Sequence, residues 1–206
     1  MADNHMEVHS QHAEPWKVTL VDTGENSQTG GRIKRVQEHI EGTFCLTYGD
    51  GVSDIDLKGL LAFHKEQKTL ATVTAIQPAG RFGSIKIKGA RAQRFLEKPK
   101  GYNRWISGGF FVCEPEVFDR IDGDQTIWER EPLESLSSDG QLSVYKHEGF
   151  WAAMDTARDK LFLEELWNKG KAPWKVWDPQ PAYALKNAEQ DVQSDWNRER
   201  ELSMAH

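Results

Sequence analysis

The stretch FCLTYGDGVSDIDL, residues 44–57, decides how the fold reads. The apolar run Phe44-Cys45-Leu46-Thr47-Tyr48 reads as a buried strand, and it stops abruptly at Gly49-Asp50-Gly51. Leu57, Leu60, Leu61 and His64 then repeat at helical spacing through LKGLLAFHKEQK. LATVTAI, residues 70–76, is β-branched and continuously apolar, the pattern of a strand covered on both faces. Upstream, KVTLV (17–21) reads as a short strand and TGENSQTGG as a loop. GRIKRVQEHI reads as a helix with Ile33, Val36 and Ile40 on one face. Strand, helix, strand, helix, strand predicts a parallel sheet.

Further on the pattern changes. GSIKIKG alternates, AQRFLEKP reads as a strand ending in charge, and WISGGFFVCE is another strand. These predict antiparallel pairing and therefore a mixed α/β sheet. PEVFDRI and EREPLESLS read as helices, and QLSVYKHEG as a strand. TARDKLFLEELWNKG is a helix opened by a capping box, Thr156 with Asp159, and closed by Gly170. Residues 1–177 form one expected domain. From Asp178 to His206 the text is polar and interrupted by two prolines, which predicts a mobile tail.

The chain has 206 residues, 38% apolar and 28% charged, which suits a globular domain. Its net charge of −6 gives no basic field for nucleic acid, although a few convergent cations can still bind a small anion. No apolar run approaches a membrane span, and MADNHMEVHSQHAEPW lacks a signal-peptide core, so the cytoplasm is expected. Cys45 and Cys113 both lie in apolar runs and read as reduced, buried core residues. His5, His9 and His12 sit in a polar stretch without a carboxylate shell and are not taken as a metal site.

Several short motifs could carry chemistry. In open α/β sheets, ligands sit at the carboxyl ends of strands. Asp50 stands at such an end, between glycines that permit a sharp turn and leave room for a ligand. A carboxylate there can hold Mg²⁺ bridging phosphates, though Asp-Gly is also a common turn dipeptide. Glu97-Lys98-Pro99 follows a strand in the same way: glutamate can accept from sugar hydroxyls and lysine can meet a phosphate, or the pair is a solvated strand end. Ser107-Gly108-Gly109 interrupts an apolar strand, which marks a close approach by ligand or backbone, or a bulge. Asp155 immediately precedes a helix N-terminus, where a structural acid and a bound phosphate are both favoured. Gly30-Gly31-Arg32 combines a flexible loop with a fork donor, or Arg32 is a solvated loop arginine.

Taken in order, TLVDTG, TGGRIKRV, TYGDGVSDIDL, RFGSIKI, FLEKPKG, ISGGFFV, WEREPL, GFWAAMDTARDK and LWNKGKAPWK resemble the glucose-1-phosphate cytidylyltransferases, within the sugar-phosphate nucleotidyltransferases. The motifs are individually weak and strong as an ordered set that extends to Trp177. The resemblance implies a Rossmann-like, GT-A-like mixed sheet over residues 1–177, with 178–206 as the tail. It implies that the chain joins CTP to α-D-glucose 1-phosphate, giving CDP-glucose and pyrophosphate for the dideoxysugars of bacterial surface polysaccharides. Mg²⁺ would be held by Asp50 and Asp155. Glu97 and Lys98 would engage the sugar and its phosphate, Gly109 would line the sugar pocket, and Arg32 would lie by the nucleotide. Tyr48 precedes the metal aspartate as the family pattern expects. Asp50, Lys98 and Asp155 would form the catalytic set.

One departure stands out. The family opens with a strand and a glycine-rich GGxGTR loop that cradles the triphosphate, and residues 1–16 resemble the family's interior instead. The expectation is an N-terminally truncated domain with weakened triphosphate binding and an uncovered strand edge beside Asp50, hence a homo-oligomer or a separate first half. A non-catalytic sugar-phosphate-binding or assembly module, or a uridylyl- or thymidylyltransferase relative, are the competing readings.

Overall fold

A computed structural model of the chain describes residues 17–78, 84–96 and 105–177. The elements are α1 (Thr29–Arg35), β1 (Phe44–Thr47), β2 (Gly51–Ser53), α2 (Leu57–Gln67), β3 (Ala71–Ile76), β4 (Ser84–Lys88), β5 (Arg91–Leu96), β6 (Ile106–Cys113), α3 (Glu131–Ser138), β7 (Leu142–His147), β8 (Trp151–Ala153) and α4 (Ala157–Asn168), with 3-10 turns at Gln37–His39 and Pro115–Arg120. The central sheet has the order β1-β6-β3-β7. β6 pairs antiparallel with both β1 and β3, whereas β3 and β7 pair in parallel. Hence β1, β3 and β7 all run one way and β6 is inserted against them. The mixed α/β sheet agrees with expectation. The wholly parallel first half does not, because the strand between β1 and β3 arrives from residues 106–113.

β3 is buried nearly throughout, as its continuous apolar run requires. Around it, Ile33, Phe111, Val117, Phe118, Trp128 and Leu136 form the main core. Each such side chain contributes about 1.5–3 kcal/mol on burial. The ring of Phe44 stacks on that of Phe118 at 5.5 Å. α4 opens with the predicted capping box: Thr156 Oγ1 accepts from the Asp159 amide, and the Asp159 carboxylate accepts from the Thr156 amide. Gly170, at φ +66°, follows the helix end.

Four local readings are corrected. Residues 17–21 form no strand: Val18 and Leu20 are exposed, and the β-branched pattern finds no ladder among the described residues. β1 is not buried throughout but alternates, because it is the outer strand of the described sheet with one face covered. Cys45 therefore points outward, while Cys113 is buried and burial pushes its thiol up to about 12. PEVFDRI forms a 3-10 turn rather than an α-helix. The helix read over GRIKRVQEHI starts earlier, at Thr29, and tightens to 3-10 after Val36. Among the described residues, no helix is long and apolar enough to cross a membrane.

Candidate active site

β1 leads through Gly49-Asp50 into β2, and β7 leads through residues 148–150 into β8. β2 and β8 pair antiparallel, Gly51 opposite Ala153 and Ser53 opposite Trp151. β1 and β7 run in the same direction on the two flanks of the central sheet, so the β2–β8 ribbon bridges its carboxyl end. That is where ligands of open α/β sheets bind. Both strands have only three residues, too short for a periodic signal, and neither was legible in the sequence.

The ribbon brings the two predicted acids to one end. The Met154 amide donates to the Asp50 carbonyl at 2.8 Å, which continues the ladder one step past Gly51 and Ala153. Asp155 follows at once, and both acids are exposed. The two carboxylates flank paired strands and are hard oxygen donors, the type that suits a cation completing its shell with water and substrate phosphate. Among the described residues, no group of three or more metal-ligating side chains occurs.

Tyr48 and Gly109 also meet. Gly109 has φ +74°, and a Cβ built on it would lie 2.5 Å from Tyr48 Cδ2. The glycine is therefore required by its own backbone and by the tyrosine ring. The register of β6 against β3 shifts at this point: Phe111 faces Val73 and Ser107 faces Ala75. Of the alternatives offered by the sequence, the bulge occurs, and the close neighbour of Gly109 is a tyrosine side chain rather than backbone. The Tyr48 hydroxyl donates to Glu129 Oε1, and Thr29 Oγ1 donates to Glu129 Oε2 at 2.7 Å. Burial, the Glu129 hydrogen bond and the nearby Asp50 charge together hold the phenol protonated. Sequence reasoning missed Glu129, which lies 81 residues from Tyr48. Only its place in WEREPL marked it.

Arg32, on α1, donates to Thr23 Oγ1 at 2.7 Å and to the Glu25 carbonyl at 3.2 Å. The reading of Gly30-Gly31 as a flexible loop is corrected: both are buried in the first turn of α1. Their amides donate to the Thr126 carbonyl at 2.9 and 3.3 Å, so neither is left for a phosphate. Glu97 and Lys98, and His5, His9 and His12, lie outside the described residues, as does the tail from Asp178.

The family model for nucleotidyl transferases matches residues 3–153. The chain belongs to the nucleotidyl transferase family. Asp50 falls inside the matched span, and Asp155 lies two residues beyond it. Among curated relatives of this transferase, a glucose-1-phosphate cytidylyltransferase of Salmonella typhimurium is 54% identical over 180 residues, covering 86% of this chain and 70% of that protein. A probable glucose-1-phosphate cytidylyltransferase of Bacillus subtilis is 43% identical over 166 residues, covering 80% of this chain and 65% of that one. A solved apo UDP-glucose pyrophosphorylase superposes with a TM-score of 0.54 at 13% identity, over 73% of this chain and 63% of that one, a likeness of fold alone.

Proposed function

We propose that this nucleotidyl transferase joins CTP to α-D-glucose 1-phosphate, forming CDP-glucose and releasing pyrophosphate. The family membership and the 54% identity to the Salmonella cytidylyltransferase support the reaction class. The structural observation that carries the reading is the Met154-to-Asp50 hydrogen bond, which sets Asp50 and Asp155 at the same end of one ribbon. In this reading Asp50 and Asp155 hold Mg²⁺, and Lys98, Glu97 and Arg32 act on the sugar phosphate and nucleotide. The bound cation would neutralise charge on the phosphates. The protein's own part is to align two mutually repelling anions: the sugar-phosphate oxygen attacks the α-phosphorus in line, without a covalent enzyme intermediate. Tyr48, held between Gly109 and Glu129, would wall the sugar side. A cytoplasmic setting, association between copies of the chain, and supply of a bacterial surface polysaccharide belong to the same proposal.

The test mixes the chain with CTP, glucose 1-phosphate and Mg²⁺ and follows pyrophosphate. Release that falls at least a hundredfold in Asp50→Ala and in Asp155→Ala is expected. Binding of glucose 1-phosphate with no pyrophosphate release would overturn the enzymatic reading and favour a sugar-phosphate-binding module.

A further inference from the structure

The other end of the β2–β8 ribbon holds a side-chain cluster that the proposed chemistry does not use. His147, the last residue of β7, is one-tenth exposed, and its Nε2 lies 2.9 Å from Asp54 Oδ1. The same nitrogen is 3.1 Å from Ser53 Oγ and 3.1 Å from the Phe150 carbonyl. The Ser53 hydroxyl donates to that carbonyl at 2.6 Å, and so does the Asp54 amide at 3.3 Å. Nε2 therefore faces a carboxylate, a carbonyl and a hydroxyl whose proton is already committed. It must carry a proton and donate. Burial by itself would lower the imidazole's pKa, but the adjacent Asp54 carboxylate and donation to Phe150 outweigh it and the net shift is upward.

Serine, histidine and aspartate in contact raise the possibility of a nucleophilic triad. The geometry excludes it, because Ser53 and Asp54 meet the same imidazole nitrogen. A triad needs a base on one nitrogen and an orienting acid on the other. The cluster instead closes a loop. A Cβ at Gly149 would lie 2.5 Å from Asp54 Oδ1 and 2.8 Å from His147 Cε1, so the turn into β8 is pressed onto the pair.

A ribbon of three residue pairs is marginal alone. This one is held at its Ser53–Trp151 end by the Trp151 indole, which donates to the Gly108 carbonyl at 2.8 Å, and at its Gly51–Ala153 end by the Met154-to-Asp50 bond. The His147 cluster holds the opposite end, three residues or ~10 Å of strand from Asp50. We infer that His147 is a positioning residue, a clasp whose Nε2–H donates to the Phe150 carbonyl beside the Ser53 hydroxyl and the Asp54 carboxylate, and so keeps Asp50 and Asp155 in register across the ribbon. The cation-binding consequence rests on the reading of those two acids given above. Positioning groups of this kind act through tolerances of about 1 Å.

The test compares the full chain with His147→Ala and His147→Gln. Glutamine retains an N–H donor of similar reach. Amide exchange is followed at Met154 and Asp54, with Phe111 and Val112 in β6 as the control, and Mn²⁺ affinity is titrated in parallel. In His147→Ala, exchange at Met154 and Asp54 should rise at least tenfold while Phe111 and Val112 stay protected. Mn²⁺ binding should weaken about tenfold, and His147→Gln should restore most of both. Unchanged exchange at Met154, or equal acceleration in β6, would overturn the clasp, and so would a loosened ribbon with unaltered Mn²⁺ affinity. If the unaltered chain shows no Mn²⁺ binding that depends on Asp50, the cation reading fails, and exchange at Met154 alone then decides the clasp.

Discussion

The glycine pair at 30–31 sits in the first turn of α1, whereas the pair at 108–109 sits in the middle of β6. In sequence the two look alike, but the first reads as a flexible loop and the second as a close approach by ligand or backbone, or a bulge. At 30–31 the close neighbour is the protein's own chain: Cβ atoms there would stand 2.7 Å from the Thr126 carbonyl oxygen and 2.5 Å from that of Asp124. At 108–109 the chain bulges, one residue takes a left-handed conformation, and side chains arrive from two directions, Tyr48 on Gly109 and Trp151 beside Gly108. The first pair fastens a helix to a loop. The second shapes the surface next to Asp50. A missing side chain thus reports crowding, and only the identity of the neighbour says whether the crowding is structural.

Substitutions can break this contrast, and Gly31→Ala should have the largest effect. Its methyl would meet the Asp124 backbone, which cannot swing aside. Overpacking of this kind costs about 1–3 kcal/mol, more than the roughly 1 kcal/mol that alanine returns in helix propensity. The 2.5 Å approach to backbone sets the overpacking at the top of that range, so a net loss of about 2 kcal/mol is expected in urea unfolding. Equal or higher stability would show that the approach is not a constraint.

Gly109→Ala comes next, at about 1–2 kcal/mol shared between the left-handed backbone and the tyrosine ring, which can turn aside. Part of that cost should vanish when Tyr48→Ala is added, giving a coupling of about 0.5–1 kcal/mol in a double-mutant cycle. Strict additivity would mean that ring and glycine are not in contact in solution.

Gly49→Ala has the smallest effect on stability and sharpens the comparison most. Nothing lies within 4 Å of a Cβ there, and the backbone is not left-handed. Its unfolding free energy should stay within about 0.5 kcal/mol of the parent. If Gly49 leaves room for a substrate beside Asp50, pyrophosphate release should nevertheless fall about tenfold or more. Unaltered turnover would remove Gly49 from the site.

Much of the fold was legible wherever the pattern is local. β3 declares itself by six β-branched or small residues in a row, and α4 by its capping box. What failed to show was set by distance along the chain or by brevity. β6 inserts between β1 and β3 from 30 residues downstream of β3, so reading neighbours in order suggested a parallel sheet. β2 and β8 are three residues each, shorter than one clear alternation. The site divides in the same way. Asp50 stood out between two glycines, and Asp155 stood out before a helix start. Glu129 and His147 did not, because Tyr48 lies 81 residues from the first and Ser53 lies 94 from the second.

The inserted position of β6 bears on how the chain is made. Every ladder of the central sheet needs either β6 or β7, since β1 and β3 share no hydrogen bonds. While residues up to 105 emerge during synthesis, neither of the two strands that flank β3 has yet appeared. At about 5–20 residues per second, its apolar run waits a few seconds for its first partner. Silent codon changes that slow translation between residues 77 and 105 should lengthen that wait and lower the soluble yield, with the amino-acid sequence untouched.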